Sequence, residues 1–275
     1  VEINAVLTAD IDITPSYTFA ADGTYSGGTS PRAWTPIGNA SYNNTGTFDG
    51  QNHTVSGVYI NGSNNYVGLF GSYDGTIQNI KLTNSYISGA QYVGGICGKI
   101  VNNLADNVLS NCSNAATVKG SGYYVGGIAG YSSVDISSCS NTGTVTGSSD
   151  DVGGVCGQTD KQDTINSYNT GAVNGANTVG GICGLNGGTI SNSYDTGAVN
   201  GINKVGGVCG LNCGTLSDSY NTGAVSGKGD YVGGVCGYNC STLSSSYNTG
   251  TVTGTRNYVG GVCGYNAPGT STNAT

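Results

Sequence analysis

The sequence predicts an all-β chain wound as a parallel β-solenoid, with about three short strands per coil of about 27 residues. Three observations carry the prediction. The phrase Val-Gly-Gly-(Ile/Val)-X-Gly starts at Val93, Val125, Val152, Val179, Val205, Val232 and Val259, preceded by a variant at Val67-Gly68-Leu69-Phe70-Gly71. Successive starts lie 26, 32, 27, 27, 26, 27 and 27 residues apart. Within a unit the apolar period is two, and runs are broken by Asn-Thr-Gly, Gly-Lys-Gly or Cys-Gly-Tyr-Asn, where Gly and Asn tolerate left-handed dihedrals. Composition is the third. Gly makes up 50 of 275 residues, Pro only 4, and charged residues 8 %. Gly, Asn, Ser and Thr in every segment exclude a helical bundle, and low charge with few prolines argues against disorder. One unit cannot bury a face alone, whereas stacked copies about 4.8 Å apart can.

In chain order, residues 1–66 depart from the unit and hold Trp34, His53, Phe19 and Phe48. They read as an atypical coil or coils capping one end of the stack. Residues 67–266 are the repeats. The 32-residue step places a loop insertion around Val101–Ala105. Residues 267–275 read as a tail or linker, leaving the last coil uncapped. An open solenoid end exposes strand edges, so self-association through that end is expected.

Stacking turns equivalent positions into columns. Val118, Val145, Val173, Val199, Val225 and Val252 form one apolar column; Leu109, Ile136, Ile165, Ile190, Leu216 and Leu243 form another. Asn114, Asn141, Asn169, Asn221 and Asn248 align at a corner, with Asp195 as the exception. Stacked amides can hydrogen-bond from coil to coil.

The formal net charge is −7 and no cluster of Lys or Arg occurs, so nucleic acid is excluded as a partner. No apolar run approaches the roughly 20 residues needed to span a bilayer, so membrane insertion is excluded too. The chain opens at Val1 without a leader and reads as a mature, exported segment whose signal has been removed.

The recurring Tyr-Val-Gly-Gly-Val-Cys-Gly-Tyr-Asn and Val67-Gly68-Leu69-Phe70-Gly71 resemble the GLUG motif. Trp34-Thr35-Pro36-Ile37-Gly38 and the segment Gly46 to Val55 resemble the lead-in found before such repeats. The resemblance covers nearly the whole chain. It implies a right-handed solenoid on secreted or surface proteins of bacteria, often adhesin-like, with no catalytic residues to carry over. The chain departs from the family by placing Cys where many copies have Ala.

The ten cysteines fall in three columns. Cys97, Cys156, Cys183, Cys209, Cys236 and Cys263 occupy the X of the phrase, where Ala129 also stands. Interchange with Ala describes buried packing, with disulfides as the other reading. Cys112 with Cys139, and Cys213 with Cys240, are neighbours without a third member and are the better disulfide candidates. Zinc is disfavoured because no His accompanies the Cys-x3-Cys spacings.

No catalytic constellation emerges, and no metal or cofactor is expected. His53 lacks a nearby nucleophile, and Asp150, Asp151, Lys204, Lys228, Asp230 and Arg256 read as a solvated edge of mixed sign. Tyr168, Tyr194, Tyr220 and Tyr247 form an unbroken row that could stack on sugars, although packing on one another explains the same spacing. Tyr66, Tyr92, Tyr124, Tyr231 and Tyr258 make a second row, interrupted by Asp151, Thr178 and Lys204. The expected function is an extracellular structural or adhesive module, as a displayed stalk or a subunit of an end-to-end surface filament, its partner a second copy or a host or cell-surface protein or glycan. The alternative is a carbohydrate-binding or carbohydrate-processing solenoid that uses the Tyr rows or the variable edge.

Overall fold

The computed structural model describes residues 4–39, 41, 44–101, 106–268 and 271–273. Parallel strands stack as a β-solenoid of about eight turns, with no helix among the described residues. Each regular coil is cut more finely than expected, into five short strands rather than three. One coil runs Cys209–Asn212, Thr215–Ser217, Tyr220–Asn221, Val225–Gly227 and Val232–Gly233. Bends recur within a few residues because Gly, Asn and Ser interrupt every apolar run. Equivalent strands pair in parallel from coil to coil and build sheets of 17, 8, 7 and 9 strands, the largest joining two ladders.

Regular pairing begins before Val67. Asn44–Asp49, Thr54–Ser56 and Tyr59–Asn61 pair with Phe70–Gln78, Lys81–Thr83 and Tyr86–Gly89. Ahead of them, Ala5–Val6 and Ile11–Asp12 join the same ladders, and Ala33 and Ile37 bridge to Tyr59 and Phe70. Between these lies the antiparallel hairpin Thr18–Phe19 with Tyr25–Ser26. The first 66 residues therefore include solenoid coils that lack the repeat phrase. Leu7, Ile13, Trp34, Ile37 and Phe48 pack, partly buried, against the core. The Trp34 indole N–H donates to the Leu69 carbonyl at 3.1 Å. At the other end Ser271–Asn273 pairs with Thr242–Ser244, so this part of 267–275 is a ladder strand and not a free tail. The insertion expected at Val101–Ala105 falls largely on 102–105, outside the described residues.

The valine column is continuous in register and extends back through Ile87 and Ile60. The second apolar column differs from expectation at one coil. Thr164, not Ile165, pairs with Ile136 on one side and Ile190 on the other. Thr164 is fully buried and Ile165 only half-buried. In every other coil the inward residue lies five positions before the corner Asn or Asp, and Thr164 keeps that spacing to Asn169. A one-residue slip exchanges faces, so the corner fixes the register against local hydrophobicity. The Thr164 hydroxyl is left without a hydrogen-bond partner.

That corner is a buried amide ladder. The side-chain amide of Asn114 donates to Asn141 Oδ1 at 2.8 Å, Asn141 to Asn169 at 2.7 Å, and Asn221 to Asn248 at 2.8 Å. Each also donates to the carbonyl two residues on, as Asn141 does to Gly143 at 2.8 Å. The second glycine of the repeat phrase closes over this ladder. A Cβ on Gly207 would lie 2.2 Å from the Gly234 carbonyl oxygen and 2.4 Å from Asn221 Cγ. Close approach, not a left-handed dihedral, is what requires glycine there: the positive-φ glycines are Gly23, Gly27, Gly38, Gly46 and Gly57, none of them in the repeat phrase.

Candidate functional site

Two left-handed corners recur in each coil, one on Asn111, Ser138, Asn166, Asn192, Asp218 and Ser245 and the other on larger residues. Tyr66, Tyr92, Tyr124, Asp151, Thr178, Lys204, Tyr231 and Tyr258, each immediately before the Val-Gly step, have φ between 45° and 66°. An L-residue in this region costs about 1–2 kcal/mol, and such strain concentrates at functional sites. Coil stacking supplies the compensation. Tyr66 and Tyr92 stack at 4.8 Å with planes 9° apart, and Tyr231 and Tyr258 at 5.1 Å and 11°.

Seven residues further along each unit, a second outward column stands beside the first: Lys99, Tyr131, Gln158, Leu185, Leu211, Tyr238 and Tyr265, in continuous register. Tyr238 meets Tyr231 edge-to-face at 5.2 Å, and Tyr265 meets Tyr258 at 5.1 Å. In the earlier coils Tyr131 lies edge-on to Tyr124 at 5.9 Å, and Lys99 Nζ sits 5.4 Å from the Tyr92 ring and 5.5 Å from Tyr131. Together the columns make a stripe along the solenoid, aromatic at both ends, with a middle of Asp151, Thr178, Lys204, Gln158, Leu185 and Leu211. The sequence reading missed the second column. Its signal was the constant spacing of seven, as in 124 to 131, 231 to 238 and 258 to 265.

Asp151 departs from the solvated edge expected of it. It is 8 % exposed, and burial followed by the neighbouring Asp150 charge raises its carboxyl to about 7, with Lys204 opposing. Asp195 is fully buried in the amide ladder. It accepts from Asn169 Nδ2 at 2.6 Å through Oδ1, while Oδ2 has no partner. Burial pushes its carboxyl well above the usual carboxylate range. His53 Nδ1 lies 3.0 Å from Asp10 Oδ1 at the exposed N-terminal edge. Among the described residues, no group of three or more His, Cys, Asp or Glu side chains converges on a point.

Of the two readings of the Tyr168 row, the structure has the tyrosines packing on one another. Tyr168, Tyr194, Tyr220 and Tyr247 stack on one another at 5.0–5.1 Å with planes 4–7° apart. Their faces are occupied by their neighbours, so what the row offers along its length is ring edges, whereas a sugar stacks on a face.

Cys97, Cys156, Cys183, Cys209 and Cys236 are fully buried and Cys263 is partly buried. Most donate weakly to the carbonyl two residues on, as Cys183 does to Leu185 at 3.0 Å. Burial pushes the thiols of Cys97, Cys156, Cys209 and Cys236 far up, which suppresses the reactive thiolate. Cys112 and Cys139 are also buried, with their thiols turned to the Ser110 and Ser137 carbonyls at 3.2 and 3.4 Å. Cys213 and Cys240 differ in access, although desolvation and the neighbouring Cys240 sulfur push the Cys213 thiol up to about 12 as well. Both are exposed, at a bend outside the strands, with their sulfurs 2.8 Å apart.

No family model matches the chain. An alignment 135 positions long, covering 47 % of the chain, is 32 % identical to Halomucin from Haloquadratum walsbyi. It spans 1 % of Halomucin's length. Among solved structures, a Bacteroides ovatus protein provisionally described as an immunoglobulin A1 protease superposes with a TM-score of 0.63 at 21 % identity. The superposition covers 95 % of this chain and 78 % of the other. At that identity the likeness speaks to the solenoid fold alone.

A second buried amide ladder also escaped the sequence reading. Asn186 donates to Asn212 at 2.8 Å, Asn212 to Asn239 at 2.7 Å and Asn239 to Asn266 at 2.7 Å. The recurrence of Asn three residues after the column cysteine was its signal. Two amide ladders and the buried apolar columns tie successive coils together, and the chemistry left to the outside is aromatic and polar contact.

Proposed function

We propose that this chain is a rigid, non-catalytic β-solenoid module of a longer extracellular or cell-surface protein, serving as a spacer or adhesive stalk of the GLUG-repeat kind. The carrying observation is the division of labour between inside and outside. Inward columns of Val, Leu, Cys and Asn run through successive coils almost unchanged, while outward positions vary from coil to coil. Such an arrangement specifies length and stiffness first. The likeness to part of Halomucin supports membership of a much longer protein. Self-association with a second copy belongs to the same reading.

Electron microscopy of the chain placed between two globular reporter domains tests it. A fixed separation matching about 4.8 Å per coil supports the spacer. A broad distribution of separations, or turnover of polysaccharide or protein substrates by the purified chain, refutes it.

A second reading, carbohydrate recognition, is favoured by the stripe, where half-exposed tyrosines sit on strained corners beside Lys99 and Lys204. Glycan-array binding that is lost in Tyr131→Ala and Tyr238→Ala but kept in Tyr194→Ala would place recognition on the stripe. An array without a hit removes this reading and leaves the spacer.

A further inference from the structure

We propose that Cys213 and Cys240 form a redox-active pair that closes to a disulfide across adjacent coils, while the other cysteines remain thiols. The two sulfurs are 2.8 Å apart, so closing to a bond of about 2.05 Å asks for a movement of under about 1 Å. The backbone already holds the two in register. Cys213 N–H donates to the Asn186 carbonyl and Cys240 N–H to the Asn212 carbonyl, both at 2.9 Å. Each residue sits at a bend, where the chain can adjust more freely than in a paired strand. At the equivalent position, Gly187 lies in the preceding coil and Ala267 in the following one, so no third thiol competes.

Access separates this pair from the rest. Cys112 and Cys139 share an equally simple two-member column, yet both are buried, with no route for an external reagent. The six-member column is inside the core apart from Cys263 at its last coil. Oxidation selects for exposure as well as proximity, and only Cys213 and Cys240 combine the two.

The oxidant is a low-molecular-weight disulfide. One thiolate of the pair attacks a sulfur of that disulfide, forming a mixed disulfide and expelling one small thiolate. The second protein thiolate attacks the protein sulfur of the mixed disulfide and expels the other. Two protein thiols are oxidised, one small disulfide is reduced to two thiols, and the two protons go to the departing thiolates. The product staples two coils at their outer edge.

The native chain is treated with oxidised glutathione, alkylated without denaturant, and mapped by non-reducing peptide mass spectrometry. The expected result is a Cys213–Cys240 linked peptide lighter by two hydrogens, with the buried cysteines alkylated only after denaturation. In Cys213→Ser, Cys240 should instead retain one glutathione, because no second thiol is present to resolve it. Glutathione adducts on both residues of the unsubstituted chain, two alkylated thiols after oxidation, or a Cys112–Cys139 link in its place would each overturn the proposal.

Discussion

Replacing Asp195 by Asn should stabilise the protein, and by an amount that grows with pH. Asp195 stands where the equivalent coils have Asn, and it breaks the amide ladder at one rung: Asn169 reaches it at 2.6 Å, but its Oδ2 is buried and unpartnered. An amide there gains the two bonds its equivalents make, one to the carbonyl two residues on (Gly197) and one to Asn221 Oδ1, following Asn221 itself, which donates at 2.8 Å to both Gly223 and Asn248. Two net hydrogen bonds contribute about 1 kcal/mol each, and removing an orphaned buried oxygen contributes about 1–3 kcal/mol. The sum is roughly 3–5 kcal/mol at neutral pH. At about 2–4 °C per kcal/mol for a chain near this size, Tm should rise by roughly 5 °C or more. The pH dependence follows from burial, which lifts the folded-state pKa above the ordinary value of 3.8. Between that value and the folded pKa the native state binds more protons than the unfolded chain, so stability falls as pH rises through this window. An amide at this position does not titrate and adds no such slope. Thermal unfolding of both proteins from pH 4 to 8 should show a gap that is smallest at pH 4, where the protonated Asp195 can itself donate one of the two bonds, and that widens upward as the proton is lost. A Tm for Asp195→Asn at or below the parent at pH 8, or a gap independent of pH, would refute the ladder argument.

Thr164→Val should stabilise by about 1–2 kcal/mol, since it removes a buried hydroxyl that lacks a partner while keeping the shape; chemical denaturation with an unchanged m-value would show it. Asp151 adds its own pH slope. Its carboxyl is raised to about 7, so its stabilising share is complete below about pH 4 and is lost on the way up to pH 7, by as much as about 4 kcal/mol at 1.36 kcal/mol per pH unit. In Asp151→Asn the loss of stability between pH 4.5 and 7.5, measured by urea titration, should shrink accordingly. Gly207→Ala should cost at least about 3 kcal/mol, because the new Cβ meets the Gly234 carbonyl oxygen at 2.2 Å and the Asn221 amide at 2.4 Å, with backbone on one side unable to yield. A soluble, fully folded Gly207→Ala with parental Tm would show that the coils are not packed this closely.

The period-two pattern inside a unit of about 27 residues leaves few folds open, because a strand with one apolar face must find a partner and the next copy is the nearest one. Solenoid, parallel pairing and the valine, cysteine and corner-Asn columns were legible for that reason: each is a repetition of residue type, and stacking converts repetition directly into contact. Repetition failed where one residue broke it. Ile165 looked like the column member because it is apolar, yet the corner at Asn169 sets the register and sends Thr164 inward. The coils within residues 1–66 were expected, but their pairing partners were not legible, since backbone pairing holds them in the stack without the repeat phrase. What only the three-dimensional structure decided concerns direction and depth. It turned the Tyr168 row face to face, paired the Tyr231 column edge-on with Tyr238, buried Asp151, and left only Cys213 and Cys240 both exposed and in contact. A linear sequence determines which residues share a column, but whether a side chain points into the core, along the axis or into solvent depends on where the backbone bends, and those bends are settled by hydrogen bonds between coils.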